Sequence, residues 1–368
     1  MNLHLVQSID PKTGGGIASS CIELVEAQNS IGLAAKIVST TANRDELKSH
    51  DYKRLALIKC SNPILYTPDL KKLIEDVNSD WLIHSHGLYM YSSYLGTWIK
   101  RRHHNRMIVH VHGILEPWIL SRSKITKKIA SLLYENFKFR NAEYWRALTS
   151  KEADQIRSFG VKGRIVVAPN GINLDVIDDY IMNVSSKSIK DKRILLFLGR
   201  IHEKKGLVPL VKVWKGLPMG IRKKWELRIV GPDDGILQKL KGLSNGEDSI
   251  KFFESVSGRN KFKMLAESDM NILPSFSEGF SMSLLEACAF RKPIIFTDEC
   301  NFDDAYHHGG VRLTSIEKWP SELSKYLQMS DTEMSDRGAA LRRLVETKYH
   351  WNKIAHDLND QISDEKED

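Results

Sequence analysis

Two glutamates, Glu278 and Glu286, bracket the stretch Gly279-Phe280-Ser281-Met282-Ser283-Leu284-Leu285. A carboxylate placed beside a ligand accepts hydrogen bonds from hydroxyl groups and steadies a developing positive charge. Two cations stand in a second segment, Arg200 and Lys205 within Gly199-Arg200-Ile201-His202-Glu203-Lys204-Lys205-Gly206. Fixed cations suit a diphosphate, and each preorganised group of this kind is worth roughly 10²-fold to 10³-fold where charge builds up on a leaving group. A third segment, His112-Gly113-Ile114-Leu115-Glu116-Pro117-Trp118, sets an imidazole beside a glycine at the end of an apolar run.

These residues need elements to hold them. Met270-Asn271-Ile272-Leu273 reads as a short strand before Glu278, the run to Phe290 as a helix, and Ile294-Ile295-Phe296-Thr297 as the next strand. In parallel sheets ligands collect where strands end and helices begin, because the first helical N–H groups and the dipole favour phosphate. Gly279, Phe280 and Ser281 fall at that junction. Ser283-x-x-Glu286 also fits a capping box, in which Glu286 only closes its own helix. Arg200 and Lys205 follow the strand Ile194-Leu195-Leu196-Phe197-Leu198, which directs both toward one helix terminus. Near the start, Gly14-Gly15-Gly16 follows the strand Leu3-His4-Leu5-Val6, so the backbone there can approach a ligand closely. A third glycine at dinucleotide-fingerprint spacing is missing, which argues against a dehydrogenase. His84 with His86, and His110 with His112, share strand faces by the period of two. No run of Asp or His with ligand spacing follows either pair, so no metal site is assigned, and His84 and His110 read as buried, satisfied histidines.

The chain has 368 residues, enough for two domains. With 42% hydrophobic and 27% charged residues and no apolar run near the ~20 residues that span a bilayer, it reads as a soluble globular protein. Met1-Asn2-Leu3-His4-Leu5 enters a strand without an export signal, and Cys21, Cys60, Cys288 and Cys300 lack C-x-x-C spacing, so a cytoplasmic location with free thiols is expected. Between residues 100 and 140 ten Lys or Arg face two Glu, an excess that equals the net charge of +8. Within it Ile119-Leu120, Ile125, Ile129, Leu132-Leu133 and Phe137 recur at helical spacing. That pattern describes a basic amphipathic helix able to lie on an anionic membrane surface, and equally a surface helix whose apolar stripe is core. The aromatics follow the apolar stripe, so nucleic acid is not expected.

The Glu-x7-Glu segment EGFSMSLLE resembles the signature of the retaining glycosyltransferases of family 4. His112-Gly113-x-Leu115-Glu116-Pro117-Trp118 is similar to a stretch in bacterial members that build surface polysaccharides such as O-antigen, capsule and exopolysaccharide, including lipopolysaccharide. Pro169-Asn170-Gly171 and the Gly-Arg and Lys-Gly pairs at 199–206 stand in the same order as in that family. The resemblance implies an α/β protein of the GT-B fold, two Rossmann-like β/α/β domains facing each other across a cleft. It implies an acceptor-side domain over 1–180, a nucleotide-sugar donor domain over 190–348, and a last helix, 350–364, packed back on the first domain. Glu278 and His112 are then the catalytic pair. Gly15, Gly16, Arg200, Lys205, Gly279, Phe280, Ser281 and Glu286 bind the donor, with Glu286 on the ribose and the two cations on the diphosphate. Backbone groups near Phe253 to Val256 meet the base, although Pro232-Asp233-Asp234-Gly235 departs from the family's Gly-x-Gly-Pro turn.

The implied reaction is metal-independent retaining hexosyl transfer from a nucleotide-diphosphate sugar to a glycan or lipid-linked glycan, without a cofactor, in the cytoplasm or at the inner face of the plasma membrane. Two other classes stay open. One is another GT-B enzyme, a phosphorylase or nucleotide-sugar epimerase; the other is a noncatalytic basic protein that binds membrane or nucleic acid.

Overall fold

In the computed structural model, residues 1–9, 15–41, 55–59, 74, 77–88, 90–116, 142–183 and 191–363 are described. They form two compact units, Met1–Gly171 with Trp351–Asp368, and Ile172–His350. The sequence places the boundary between 180 and 190. The division instead falls at Gly171, so the helix Leu174–Asn183 counts with the second unit. The polar, basic stretch 185–192 reads as the linker between the domains; its residues 185–190, the greater part of the basic amphipathic segment (117–140) and Gly14 lie outside the described residues.

The first unit is built on a seven-stranded sheet ordered β3-β2-β1-β4-β5-β6-β7. Its strands are β1 (Asn2–Ser8), β2 (Ala35–Thr41), β3 (Leu55–Lys59), β4 (Leu82–His86), β5 (Met107–His110), β6 (Tyr144–Ala147) and β7 (Arg164–Val167). Neighbours are parallel throughout. Helices cover both faces of such a sheet, so even its polar strand residues, His4, His84, His86, His110 and Arg146 among them, are buried. One face packs in a core of Leu3, Leu5, Ile83, Val109 and Trp145. On the other, Leu24, Ile108, Tyr144 and Val166 meet Trp351, Ile354 and Leu358 of the last helix, Trp351–Ser363. Gly171 has to be glycine, since a Cβ there would come within 2.8 Å of Trp351.

The second unit carries a six-stranded sheet ordered β10-β9-β8-β11-β12-β13. These strands are β8 (Arg193–Leu198), β9 (Trp225–Val230), β10 (Ile250–Phe253), β11 (Met270–Leu273), β12 (Ile294–Thr297) and β13 (Val311–Leu313), again all parallel. The strand order reverses between β8 and β11, and the loops leaving the carboxyl ends of a reversing pair are where such sheets hold ligands. Those two loops carry Arg200 with Lys205, and Glu278. Among the described residues no helix is long and apolar enough to cross a membrane.

Candidate active site

The β8 loop folds into a short 3-10 turn, Glu203–Lys205, capped by His202, whose ring accepts from the Lys204 N–H. Gly206 follows at φ 66°, and a Cβ there would sit 1.9 Å from the Pro274 carbonyl oxygen. Only a residue without a side chain lets the two loops approach so closely. Lys204 O then accepts from Phe276 N at 2.7 Å and from Ser275 Oγ at 3.1 Å, stitching the loop after β8 to the loop after β11.

That stitching brings Lys205 Nζ to 2.5 Å from Glu278 Oε1. The same oxygen accepts from Ser275 Oγ at 2.6 Å, and Glu278 is only 8 % exposed. Its backbone is pinned as well, with its N–H donating to Glu299 O at 3.0 Å and its carbonyl accepting from the Asn301 amide. Glu278 is therefore a buried carboxylate in a fixed orientation, beside one cation and one hydroxyl.

Arg200 goes elsewhere. It does not join Lys205; its Nη1 lies 3.0 Å from Asp234 Oδ2, and it is largely exposed. The turn Pro232-Asp233-Asp234-Gly235 is thus an anchor for the first cation, and Asp233 Oδ1 accepts from the N–H groups of Gly235, Ile236 and Leu237 as the chain turns into the helix Leu237–Leu243. These hydrogen bonds hold the Asp233 carboxyl below its usual range.

The helix after Glu278 spans Met282–Ala289 and is capped by Ser281, whose hydroxyl accepts from Leu284 N. The capping box expected from Ser283 and Glu286 does not form. Glu286 lies beyond the first turn, and its carboxylate accepts from Lys261 Nζ at 2.5 Å. Lys261 belongs to the helix Gly258–Glu267, and sequence reasoning missed it because nothing in a lysine at mid-helix marks its partner. Phe280 stacks on Tyr349 and meets Phe302 edge-on, so its ring serves the core and only its backbone can serve a ligand. Gly279 stands between the fixed Glu278 and this anchored ring.

The remaining site candidates lie in the first unit. Gly15 and Gly16 open the helix Gly15–Ser30, both exposed, with space around the positions a Cβ would take. His112 follows β5 in the left-handed region at φ 56°, a conformation that persists only where its surroundings fix it. Glu152 does so, accepting from Gly113 N at 2.5 Å and Leu148 N at 2.6 Å.

The histidines turn out to be one system. His4 stands opposite His84 in register, and His86 opposite His110; each facing pair is stacked, with centroids 4.0 and 4.2 Å apart. The hydrogen bonds run diagonally instead, Gln28–His4–His86–His112 and Asn2–His84–His110–Arg146. Burial holds all five rings neutral, with His4 and His112 brought down to about 3. Arg146, fully buried, donates to the carbonyls of Ala168 and Pro169 and the side chain of Asn170, and Ser20 completes the Asn170 oxygen. His86, His110 and His112 stand close enough together to ligate a cation. Both ring nitrogens of His86 and of His110 are already engaged, however, and the Arg146 guanidinium beside them repels positive charge.

Comparison with known proteins fits this arrangement. The family description "Glycosyltransferase Family 4" matches residues 14–176 and "Glycosyl transferases group 1" residues 181–334. An uncharacterised glycosyltransferase of Methanocaldococcus jannaschii is 24% identical over 69% of this chain and 67% of its own length. A D-inositol 3-phosphate glycosyltransferase of Pseudarthrobacter chlorophenolicus is 29% identical over 45% of this chain, and the match spans 42% of that protein. Sucrose-phosphate synthase of Thermosynechococcus elongatus superposes with a TM-score of 0.78 at 17% identity, over 99% of this chain and 98% of the other. Anabaena HepE in complex with UDP and glucose superposes at 0.74 with 16% identity, over 98% and 99%.

Proposed function

From the premise that the chain is a glycosyltransferase of the GT-B type, with a family 4 domain followed by a group 1 domain, we propose that it transfers a hexose, with retention, from a nucleotide-diphosphate sugar to a glycan or lipid-linked glycan acceptor in surface polysaccharide synthesis. The observation that carries the donor side is the Lys205–Glu278 pair, held at the strand-order reversal of the second sheet. A buried carboxylate and a cation fixed side by side match a substrate with a hydroxyl-rich sugar next to a phosphate.

In this reading Lys205 takes the diphosphate, joined by the exposed Arg200 when it turns from Asp234, Gly279 and Phe280 offer backbone N–H groups near the capped start of the helix Met282–Ala289, Glu286 takes the ribose hydroxyls, and Glu278 orients the sugar. The bond between the anomeric carbon and the β-phosphate oxygen breaks, and its electrons go to that oxygen. The departing oxygen takes the acceptor's proton as the acceptor attacks from the face just vacated, so configuration is kept. Two cations and a helix terminus supply the charge that a metal would otherwise supply. Gly15, Gly16 and His112 join from the first unit on the strength of the family resemblance, His112 at the donor sugar. The excess of cations over 100–140 suits an acceptor carried on an anionic membrane.

A panel of nucleotide-sugars tests the proposal, read by thermal shift and by slow nucleotide release, with UDP-glucose first because HepE was crystallised with UDP and glucose. A ligand at 100 times its Kd raises stability by about 2.7 kcal/mol. Stabilisation by one nucleotide-sugar, with nucleotide release that accelerates on adding acceptor and an α-linked donor giving an α-linked product, is the expected result. Stabilisation by none, or release of nucleotide without any acceptor or water product, overturns it.

A further inference from the structure

A neutral imidazole donates at one nitrogen and accepts at the other, so in a hydrogen-bonded chain of imidazoles each ring dictates the tautomer of the next. Gln28 presents Oε1 to His4 Nε2 at 2.7 Å, so that nitrogen carries the proton and His4 Nδ1 is an acceptor. His86 Nε2, 2.9 Å away, must then donate, which leaves His86 Nδ1 as an acceptor. His112 Nε2, 2.9 Å from it, must donate in turn. The last ring thus has its proton on Nε2 and a bare Nδ1, for which the described residues show no partner.

The neighbouring chain shows the same polarity, fixed independently. Arg146 can only donate, so His110 Nδ1 accepts, His110 Nε2 donates to His84 Nδ1, and His84 Nε2 donates to Asn2. His86 stacks on His110 and His4 on His84, so the two chains lie face to face. His4, His84, His86 and His110 are fully buried and His112 is a half-buried residue, so the chain runs outward from the interior to His112. A reversed tautomer at any one link would set two protons or two lone pairs against each other in the interior.

We propose that His4 and His86 are positioning residues that hold His112 as its Nε2–H tautomer, so that its bare Nδ1 accepts a hydrogen bond from a hydroxyl of the bound sugar. This rests on the placement of His112 at the donor sugar, and the test separates the two. In protein labelled with ¹⁵N at histidine, His112 is assigned by comparison with His112→Asn, and its two ring nitrogens are read across the neutral pH range. The expected signature is an unprotonated Nδ1 and a protonated Nε2 in the wild type.

In His86→Leu the spectrum shifts to a mixture of tautomers and kcat falls about ten-fold, the loss that goes with one misplaced hydrogen bond. His86→Gln, whose amide can donate to His4 and accept from His112, restores both tautomer and rate. Gln28→Leu, which removes the terminal acceptor at the far end, gives a weaker version of the His86→Leu result and serves if that variant does not fold. A protonated Nδ1 in the wild type, which a reversed Gln28 amide would impose, overturns the proposal. An unchanged His112 spectrum in both His86→Leu and Gln28→Leu overturns it equally. Absence of any transfer with a correct tautomer signature would instead count against the glycosyltransferase reading and leave the relay standing.

Discussion

Lys205 and Glu278 lie 73 positions apart in the chain and 2.5 Å apart in space, joined because Gly206 lets the loop after β8 settle onto the carbonyl of Pro274. The pair gives the first expected outcome. Lys205→Ala and Glu278→Ala each lower transfer by about 10²-fold to 10³-fold, while the far-UV circular dichroism of each variant matches the wild type. Turnover near that of the wild type in either would remove these residues from the site.

Gly206→Ala tests the same junction from the backbone side. The added methyl meets Pro274 O in a left-handed conformation that alanine resists, so the two loops must separate. A loss of roughly 1 to 3 kcal/mol is expected in denaturant unfolding, together with a donor KM that rises as Lys205 leaves Glu278. Normal stability with normal KM would mean that the loops are not coupled in this way.

The Lys261–Glu286 pair predicts a specificity effect. Lys261→Met frees the Glu286 carboxylate that is proposed to hold the ribose. Discrimination between ribose and 2′-deoxyribose donors should therefore fall several-fold, measured as a ratio of kcat/KM values. An unchanged ratio with lowered stability would make the pair purely structural.

Acid should weaken the first unit. The five histidines of the ladder have folded pKa values below the unfolded 6.5, so below that pH the unfolded chain binds more protons and stability rises with pH. Their contribution is complete above about pH 6.5 and is lost as pH falls toward about 3, the value of His4 and His112, each group contributing up to about 1.4 kcal/mol per pH unit. Melting scans between pH 7.5 and 4.5 should show a steep fall, and it should be shallower in His84→Gln. A flat profile would mean that these rings charge freely in the folded state.

Much of this arrangement was readable before the fold was known, for definite reasons. Glu278 and Lys205 adjoin the ends of apolar runs, and strand ends at a strand-order reversal are where parallel sheets gather ligands, so both residues were legible. Arg200 was legible as a cation but its partner was not, because Asp234 sits beyond a different strand and only the β8–β9 pairing brings the two together. The period of two put His84 with His86 and His110 with His112 on common faces. It could not reveal the diagonal bonding, which depends on the register of β1 against β4 and of β4 against β5. Glu286 looked like a capping residue because a capping box is read from spacing alone, whereas the actual helix start is set by Ser281, two residues earlier.

The return of the helix Trp351–Ser363 to the first unit also has a consequence for biosynthesis. Tyr144 donates its hydroxyl to Ile362 O, Trp351 donates to Glu23, and Ile354 and Leu358 finish a core begun by Leu24 and Ile108. A nascent chain therefore leaves the ribosome with that side of its first sheet covered only in part, by the helix Gly15–Ser30, and must wait while residues 172–350 are translated, roughly 10 to 40 seconds at ordinary elongation rates. The unit written first is the unit finished last, and during that interval the apolar patch that Trp351, Ile354 and Leu358 will cover is what a chaperone would meet.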